Sequence, residues 1–213
     1  MTTAETIAAL TKELLESVRQ PALAPFLADW PGAAVPGAAA PGIAEPCTAE
    51  RRAVAACQLP VLRWIPDLAG NIAAFGIDLV ATVCGAAPAL AWRQTYTAQD
   101  FDAAFLDNYG WSEIFGVSGP MASERIACGF LILGPATYYP RHRHEAEEIY
   151  LPLSGTAAWQ QGDSVWRDRP PGTLIHHAGD EPHAMRTGAH PLLALYLWRG
   201  ANLAHKARLD ANG

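Results

Sequence analysis

Charge is scarce in this chain of 213 residues. Asp, Glu, Lys and Arg together make up 17% of it, and the formal net charge is −6. No cluster of Lys or Arg occurs, so the basic stripe that a nucleic-acid backbone needs is missing and an anionic membrane surface has little to attract. The four cysteines, Cys47, Cys57, Cys84 and Cys128, show no CxxC spacing. That excludes a zinc ribbon and a thioredoxin-type pair, and predicts free, mostly buried thiols in a reducing compartment. No basic segment followed by an apolar run opens the chain; Met1-Thr-Thr-Ala-Glu-Thr begins an amphipathic helix instead. No signal peptide is expected, and the expected location is cytoplasmic. No repeat of solenoid type recurs. The one long apolar stretch, Ile72 to Trp92, is broken by Gly76, Asp78, Gly85 and Pro88, which fits a buried helix followed by a strand better than a membrane span.

Half of the residues are hydrophobic, enough for a globular chain with one sizeable core and too short for two independent domains. Thr2 and Glu5 form a possible capping box, after which Ile7, Leu10, Leu14 and Val18 recur at helical spacing until Pro21 stops the helix. From Pro31 to Pro46 the chain is Ala, Pro and Gly with hardly a charge, which reads as a connector. Further helices are predicted over Ala49 to Gln58, Val61 to Leu68 and Asn71 to Thr82. The character changes at Leu90 to Tyr96, an alternating run that reads as a strand. Thr97 to Asp100 can cap a short helix through Leu106 that Gly110 ends. Short strands punctuated by Gly and Pro follow at Trp111–Phe115, Glu124–Leu133, Glu147–Leu153, Thr156–Gln160, Thr173–His177, His183–Arg186 and Leu192–Trp198, the pattern of a β-sandwich or barrel. The expected fold class is α+β, mainly β, with a helical region over residues 1–89 packed on a β-barrel over residues 90–213.

Within the β-rich half, Tyr139-Pro-Arg-His142-Arg-His144-Glu-Ala-Glu-Glu148-Ile-Tyr150-Leu-Pro-Leu-Ser-Gly155 places two imidazoles, a carboxylate and a phenol at positions of one parity. Alternate side chains of a strand share a face, so the four are predicted to converge from one extended segment. Arg141, Arg143, Glu145 and Glu147 take the solvent side. With one more histidine from elsewhere, this is the donor set of a metal site with a phenol beside it. A merely solvated charged face would give the histidines no preferred parity.

The spacing His142-x-His144-x-x-x-Glu148, with Gly155 closing it, resembles the first cupin motif. The turn Pro170-Pro171-Gly172 with a later histidine resembles the second. Tyr139, Pro140, Ala146, Tyr150 and Leu153 extend the likeness to the cupin-type dimethylsulfoniopropionate lyases, over about Asn108 to Gly200. The resemblance implies a cupin barrel, a double-stranded β-helix or jelly roll. It also implies a divalent metal, Fe, Zn, Mn, Co or Ni, held by His142, His144, Glu148 and a histidine of the second motif. His183 matches best, with His176 and His177 as rivals; His190 and His205 read as surface residues. Tyr150 is implied as the base and Tyr139 as a second active-site phenol. Strand parity alone would choose Tyr138, unless Pro140 introduces a bulge. Trp198 is implied to line the pocket.

The implied substrate is a small zwitterion whose carboxylate faces the metal and whose sulfonium leaves as dimethyl sulfide, with acrylate as the other product. Aromatic faces attract such a cation, and Trp159, Trp166, Tyr196 and Trp198 are candidates. The alternatives are another metal-dependent cupin enzyme, a dioxygenase or an isomerase, and a non-catalytic cupin that binds a small ligand. Neither nucleic acid nor membrane is expected as a partner, and the chain is expected to be a monomer or a homodimer.

Overall fold

The computed structural model describes residues 1–32, 50–70 and 73–210. Most of the Ala/Pro-rich connector, and Cys47, lie outside the described residues. The chain opens with α1 (Thr3–Val18), whose capping box is formed as the sequence predicts: Thr2 N donates to Glu5 Oε2 at 2.7 Å and Glu5 N to Thr2 Oγ1 at 3.3 Å. The short helix α2 (Ala24–Ala28) follows a 3-10 turn at Pro21–Leu23. A second 3-10 turn at Pro60–Trp64 leads into α3 (Ile65–Gly70), and α4 covers Ile77–Ala86.

Residues 50–58 correct the sequence reading, because they are extended rather than helical. Arg52 N donates to the Pro120 carbonyl and Ala122 N to the Glu50 carbonyl, both at 2.8 Å, and Cys57 bridges Ala91. Ala53, Ala55 and Ala56 are all exposed, so a helix here would have had no apolar face to bury, and pairing overrides alanine's helix propensity. In the long apolar stretch, α4 buries Leu79, Val80, Val83 and Cys84. It begins only after Gly76, which takes a left-handed conformation (φ 70°) against the Leu14 side chain. No helix of the described residues is long and apolar enough to cross a membrane.

The strand expected at 90–96 is reduced to β1 (Trp92–Arg93), with Ala91 bridged to Cys57 before it, because the Gln94 amide turns away to the carbonyls of Leu106 and Tyr109. Helix α5 (Ala103–Leu106) is capped by Asp102 and not by the Thr97–Asp100 turn, and Gly110 belongs to the next strand. The remaining strands are β2 (Tyr109–Gly116), β3 (Met121–Ala122), β4 (Ile126–Leu133), β5 (Tyr138–Arg143), β6 (Glu147–Ser154), β7 (Ala157–Gln161), β8 (Arg167–Arg169), β9 (Ile175–His177), β10 (His183–Thr187), β11 (Leu192–Arg199) and β12 (Arg208–Leu209). They form two sheets: one ordered β1-β2-β4-β11-β6-β9 with β3 beside β2, the other β12-β5-β10-β7-β8. All pairings except β2 with β3 are antiparallel, and the two sheets make the jelly roll of a cupin barrel.

The seven-stranded sheet is covered on both sides. Its residues Ile126, Cys128, Phe130, Ile132, Ile149, Leu151, Leu153, Leu193, Leu195 and Leu197 pack with the helices in one core. The alternate residues, Leu131, Leu133, Tyr150, Ala194 and Tyr196, face the barrel interior with Tyr139 and Trp159. Burial of both faces explains why β4 reads Ile-Ala-Cys-Gly-Phe-Leu-Ile-Leu with no polar alternation.

Gly155, the closing residue of the histidine motif, has φ 81°, and a Cβ on it would stand 2.0 Å from the Pro191 carbonyl oxygen. Substituting alanine combines overpacking with a left-handed alanine, each typically worth about 1–3 kcal/mol. Gly155→Ala is therefore expected to lower the thermal midpoint by about 5 °C or more. A midpoint within about 1 °C of wild type would mean that the turn relaxes freely.

Candidate metal centre

The motif does not run as one strand. The chain leaves β5 after Arg143, turns through residues 144–146 and joins the opposite sheet as β6. His142 therefore approaches from the five-stranded sheet and His144 from the turn that follows it, while Glu148 and Tyr150 approach from the seven-stranded one. The shared parity survives because the turn delivers each pair to the barrel interior. His183 enters from β10, directly opposite His142 on β5.

His144, Glu148 and His183 bring one ligand atom each to within 4.8 Å of one another, a group able to hold a metal ion. The imidazole of His142 lies beside them, its ring centre 4.2 Å from that of His183 and 6.4 Å from that of His144. All four side chains are buried, Glu148 completely. Three imidazoles share one arrangement: Nδ1 of His142, His144 and His183 bonds the carbonyl of Pro140, Ala146 and Glu181 at 2.8, 2.9 and 2.9 Å. A carbonyl accepts, so each Nδ1 carries the proton and the lone pair of a neutral ring sits on Nε2. His144 Nε2 is 3.0 Å and His183 Nε2 3.2 Å from Glu148 Oε2. The approach of His183 does not meet hydrogen-bond geometry, so its Nε2 is a buried nitrogen with no such partner. Buried nitrogen lone pairs facing a buried carboxylate are a donor set that fits a divalent transition ion.

The electrostatics agree. Burial opposes charge on Glu148, but the His144 and His183 rings outweigh it and hold the carboxyl well below its ordinary range. For His144, burial is likewise outweighed by Glu148, so its pKa is raised. A proton held on His144 Nε2 would occupy the place that a cation would take. His142 is pushed well below the usual imidazole value by burial and by His183. Trp198 ties the group together, donating from Nε1 to Glu148 Oε1 at 2.5 Å and stacking on His144 at 4.1 Å. It orients ligand candidates as well as lining the cavity, a role that its position in the sequence did not suggest.

Of the two neighbouring tyrosines, the structure turns Tyr139 inward and leaves Tyr138 46% exposed. His183 pairs with His142 and Met185 with Tyr139, so that Pro140 and Arg141 of β5 stand against Ala184 alone of β10. That bulge spans Pro140 and shifts the parity by one. The Tyr139 ring then stacks on His142 at 4.0 Å, and its hydroxyl lies 3.1 Å from that of Tyr96. Tyr150 is buried beside Glu148; burial and that carboxylate push its phenol well above 10.

Tyr139, Tyr150, Tyr196, Trp198, His142 and Glu148 all line one cavity of about 380 Å³. Trp159 and Trp166 do not. Trp159 is packed in the barrel core with its centroid 5.9 Å from Tyr150, and Trp166 sits with Tyr138 and Arg186 away from the cavity. The cavity also takes in Trp111, Glu113, Arg93 and Lys206, which no motif marked. Of the rival histidines, His176 turns to Glu147 at 2.7 Å. His177 faces inward, stacked on His183 at 4.0 Å with neither ring nitrogen hydrogen-bonded among the described residues, and burial lowers it to about 3.

Comparison with known proteins agrees with this architecture. A family model described as dimethylsulfoniopropionate lyase matches residues 44–194. The dimethylsulfoniopropionate lyase DddQ of Ruegeria pomeroyi is 38% identical over 109 residues, 51% of this chain and 54% of its own length. The chain thus spans about half the length of the curated relatives it matches. Among solved structures, the same DddQ superposes with a TM-score of 0.80 at 27% identity, covering 99% of this chain and 98% of that one. A structure from work on the lyases RdDddP and RnDddQII gives 0.81 at 26% identity, covering 98% and 97%. With the family model spanning well over half of its residues, and a cupin barrel closed around the histidines and the glutamate, this chain belongs to the dimethylsulfoniopropionate lyase family.

Proposed function

We propose that this chain is a metal-dependent carbon–sulfur lyase that cleaves dimethylsulfoniopropionate to dimethyl sulfide and acrylate by β-elimination. The observation that carries the reading is the placement of Tyr150 on the same strand and face as Glu148, in the cavity that His142 shares. His142, His144, Glu148 and His183 would hold the ion. Once bound, it would supply positive charge that stabilises the charge developing on the substrate carboxylate and favours a phenolate nearby.

The rest is the work of the chain. Tyr150, as phenolate, takes the proton from the carbon next to the carboxylate. The C–H electron pair becomes the new C=C bond, and the C–S pair leaves with sulfur as neutral dimethyl sulfide. Without a neighbouring cation the buried phenol keeps its proton, since burial and Glu148 both oppose its loss. Tyr139, locked between the His142 ring and the Tyr96 hydroxyl, orients the substrate beside the base. Burial of the site keeps water from competing for the proton.

Reconstitution of the protein in turn with Fe(II), Mn(II), Co(II), Ni(II) and Zn(II), followed by headspace measurement of dimethyl sulfide, tests the assignment. Release with at least one metal and none after chelation is expected. Silence with all five removes the lyase reading and leaves the site as that of another cupin.

A further inference from the structure

The cavity continues from the histidine group along the inner face of the seven-stranded sheet to a second carboxylate. Among the described residues that line it, Glu148 and Glu113 are the acidic ones and Arg93 and Lys206 the strongly basic ones. Glu113 on β2 stands opposite Gly129 on β4, Gly129 opposite Tyr196 on β11, and Tyr196 opposite Tyr150 on β6. Residues in such a row share a face of the sheet. Gly129 leaves a gap in it, where a Cβ would come within 2.6 Å of the Tyr196 hydroxyl. The phenol of Tyr196 therefore lies across Gly129 toward Glu113. The row runs Tyr150, Tyr196, Glu113, with Trp111 two residues before Glu113 and also lining the cavity.

Glu113 is only 8% exposed. One oxygen accepts from the amides of Ser118 at 2.5 Å and Gly119 at 2.7 Å. Burial raises its carboxyl above the ordinary value, outweighing the Ser118 and Gly119 amides and the charges of Arg93 and Arg52, and it forms no ion pair among the described residues. Bracing the loop at Ser118 and Gly119 accounts for one oxygen. It does not account for a charge placed in the cavity, since a neutral acceptor would brace the loop as well.

The chemistry of the proposed substrate does account for it, and the inference rests on that reading. A sulfonium has no N–H to donate, so it can be held only by negative charge and aromatic faces. It also has to lie away from the cation-binding end, because like charges repel most strongly where water is excluded. Along the row Glu113 comes after Tyr196 as counted from Tyr150, which places the second carboxylate on the side of the cavity away from the histidine group. We propose that Glu113, flanked by Trp111 and Tyr196, is the subsite for the onium end of the substrate and makes the enzyme selective for carboxylates carrying a permanent cation.

The test compares the sulfonium substrate with 4-methylpentanoate, the same skeleton with a neutral carbon in place of sulfur. Steady-state kinetics and calorimetry are run on metal-loaded wild type and Glu113→Gln, which keeps an acceptor for the Ser118 and Gly119 amides. Glu113→Gln is expected to raise KM for the sulfonium about tenfold with kcat within about twofold, and to leave the affinity for 4-methylpentanoate within about twofold. An equal loss for both ligands assigns Glu113 to loop support alone and overturns the subsite; so does no change in either. Should the variant fold poorly, wild type still decides, since equal calorimetric affinity for the two ligands overturns the proposal. A wild type that binds the onium preferentially but releases no dimethyl sulfide would refute the lyase reading and leave the subsite standing.

Discussion

Tyr150→Phe is expected to lower dimethyl sulfide release by about 100- to 10,000-fold, the usual contribution of a positioned acid or base, while bound metal stays near wild type. The substitution removes one oxygen from a side chain that is 5% exposed and keeps the ring that packs 5.9 Å from Trp159. The loss should therefore appear in kcat and not in folding. The hydroxyl is the part that matters because it sits beside Glu148, where a cation on that carboxylate would act on the phenol most strongly. Tyr139 provides the contrast. Its hydroxyl is already engaged with Tyr96 at 3.1 Å and its ring is fixed against His142, so Tyr139→Phe should raise KM more than it lowers kcat. Headspace kinetics with elemental analysis of both variants separates the roles. Full turnover by Tyr150→Phe together with a silent Tyr139→Phe would exchange them.

How far the site could be read from the chain depended on how local its geometry is. The inward direction of His142, His144, Glu148 and Tyr150 was legible because alternation is a property of neighbouring residues. The turn at 144–146 that sends the two halves to opposite sheets was not, since a turn of even parity leaves the same pattern as an unbroken strand. At Tyr139 the two kinds of signal disagreed, and the bulge at Pro140 settled the matter: a residue without an N–H interrupts the ladder and moves the parity by one. The helix expected near 49–58 failed for a related reason. Alanine-rich composition reports propensity, whereas pairing with the Pro120–Ala122 segment depends on chain far away in sequence. Glu113 carried no signal at all. Its meaning comes from Gly129 and Tyr196 on neighbouring strands, and nothing within β2 marks it.

The assignment of His183 as the last ligand of the proposed metal site rests on the same nonlocal geometry, and it leads to the second large effect. His183→Ala is expected to reduce bound metal at least tenfold, because even partners that merely orient a ligand contribute about 10- to 100-fold to affinity. His177→Leu is expected to retain its metal. Both imidazoles are buried, face the interior and stack on each other at 4.0 Å with planes 16° apart, so neither burial nor direction separates them. Their Nδ1 atoms do. That of His183 is bound to the Glu181 carbonyl at 2.9 Å, which puts the proton there and leaves the Nε2 lone pair 3.2 Å from Glu148. That of His177 has only the Glu181 carboxylate at 3.8 Å, too far to set a tautomer. A ring with a fixed tautomer offers its lone pair in one direction, whereas one without it must be ordered by the ion itself. Elemental analysis of the two purified variants decides: full metal in His183→Ala with loss in His177→Leu would transfer the ligand role to His177 and show that the carbonyl at Glu181 orients a ring that binds nothing.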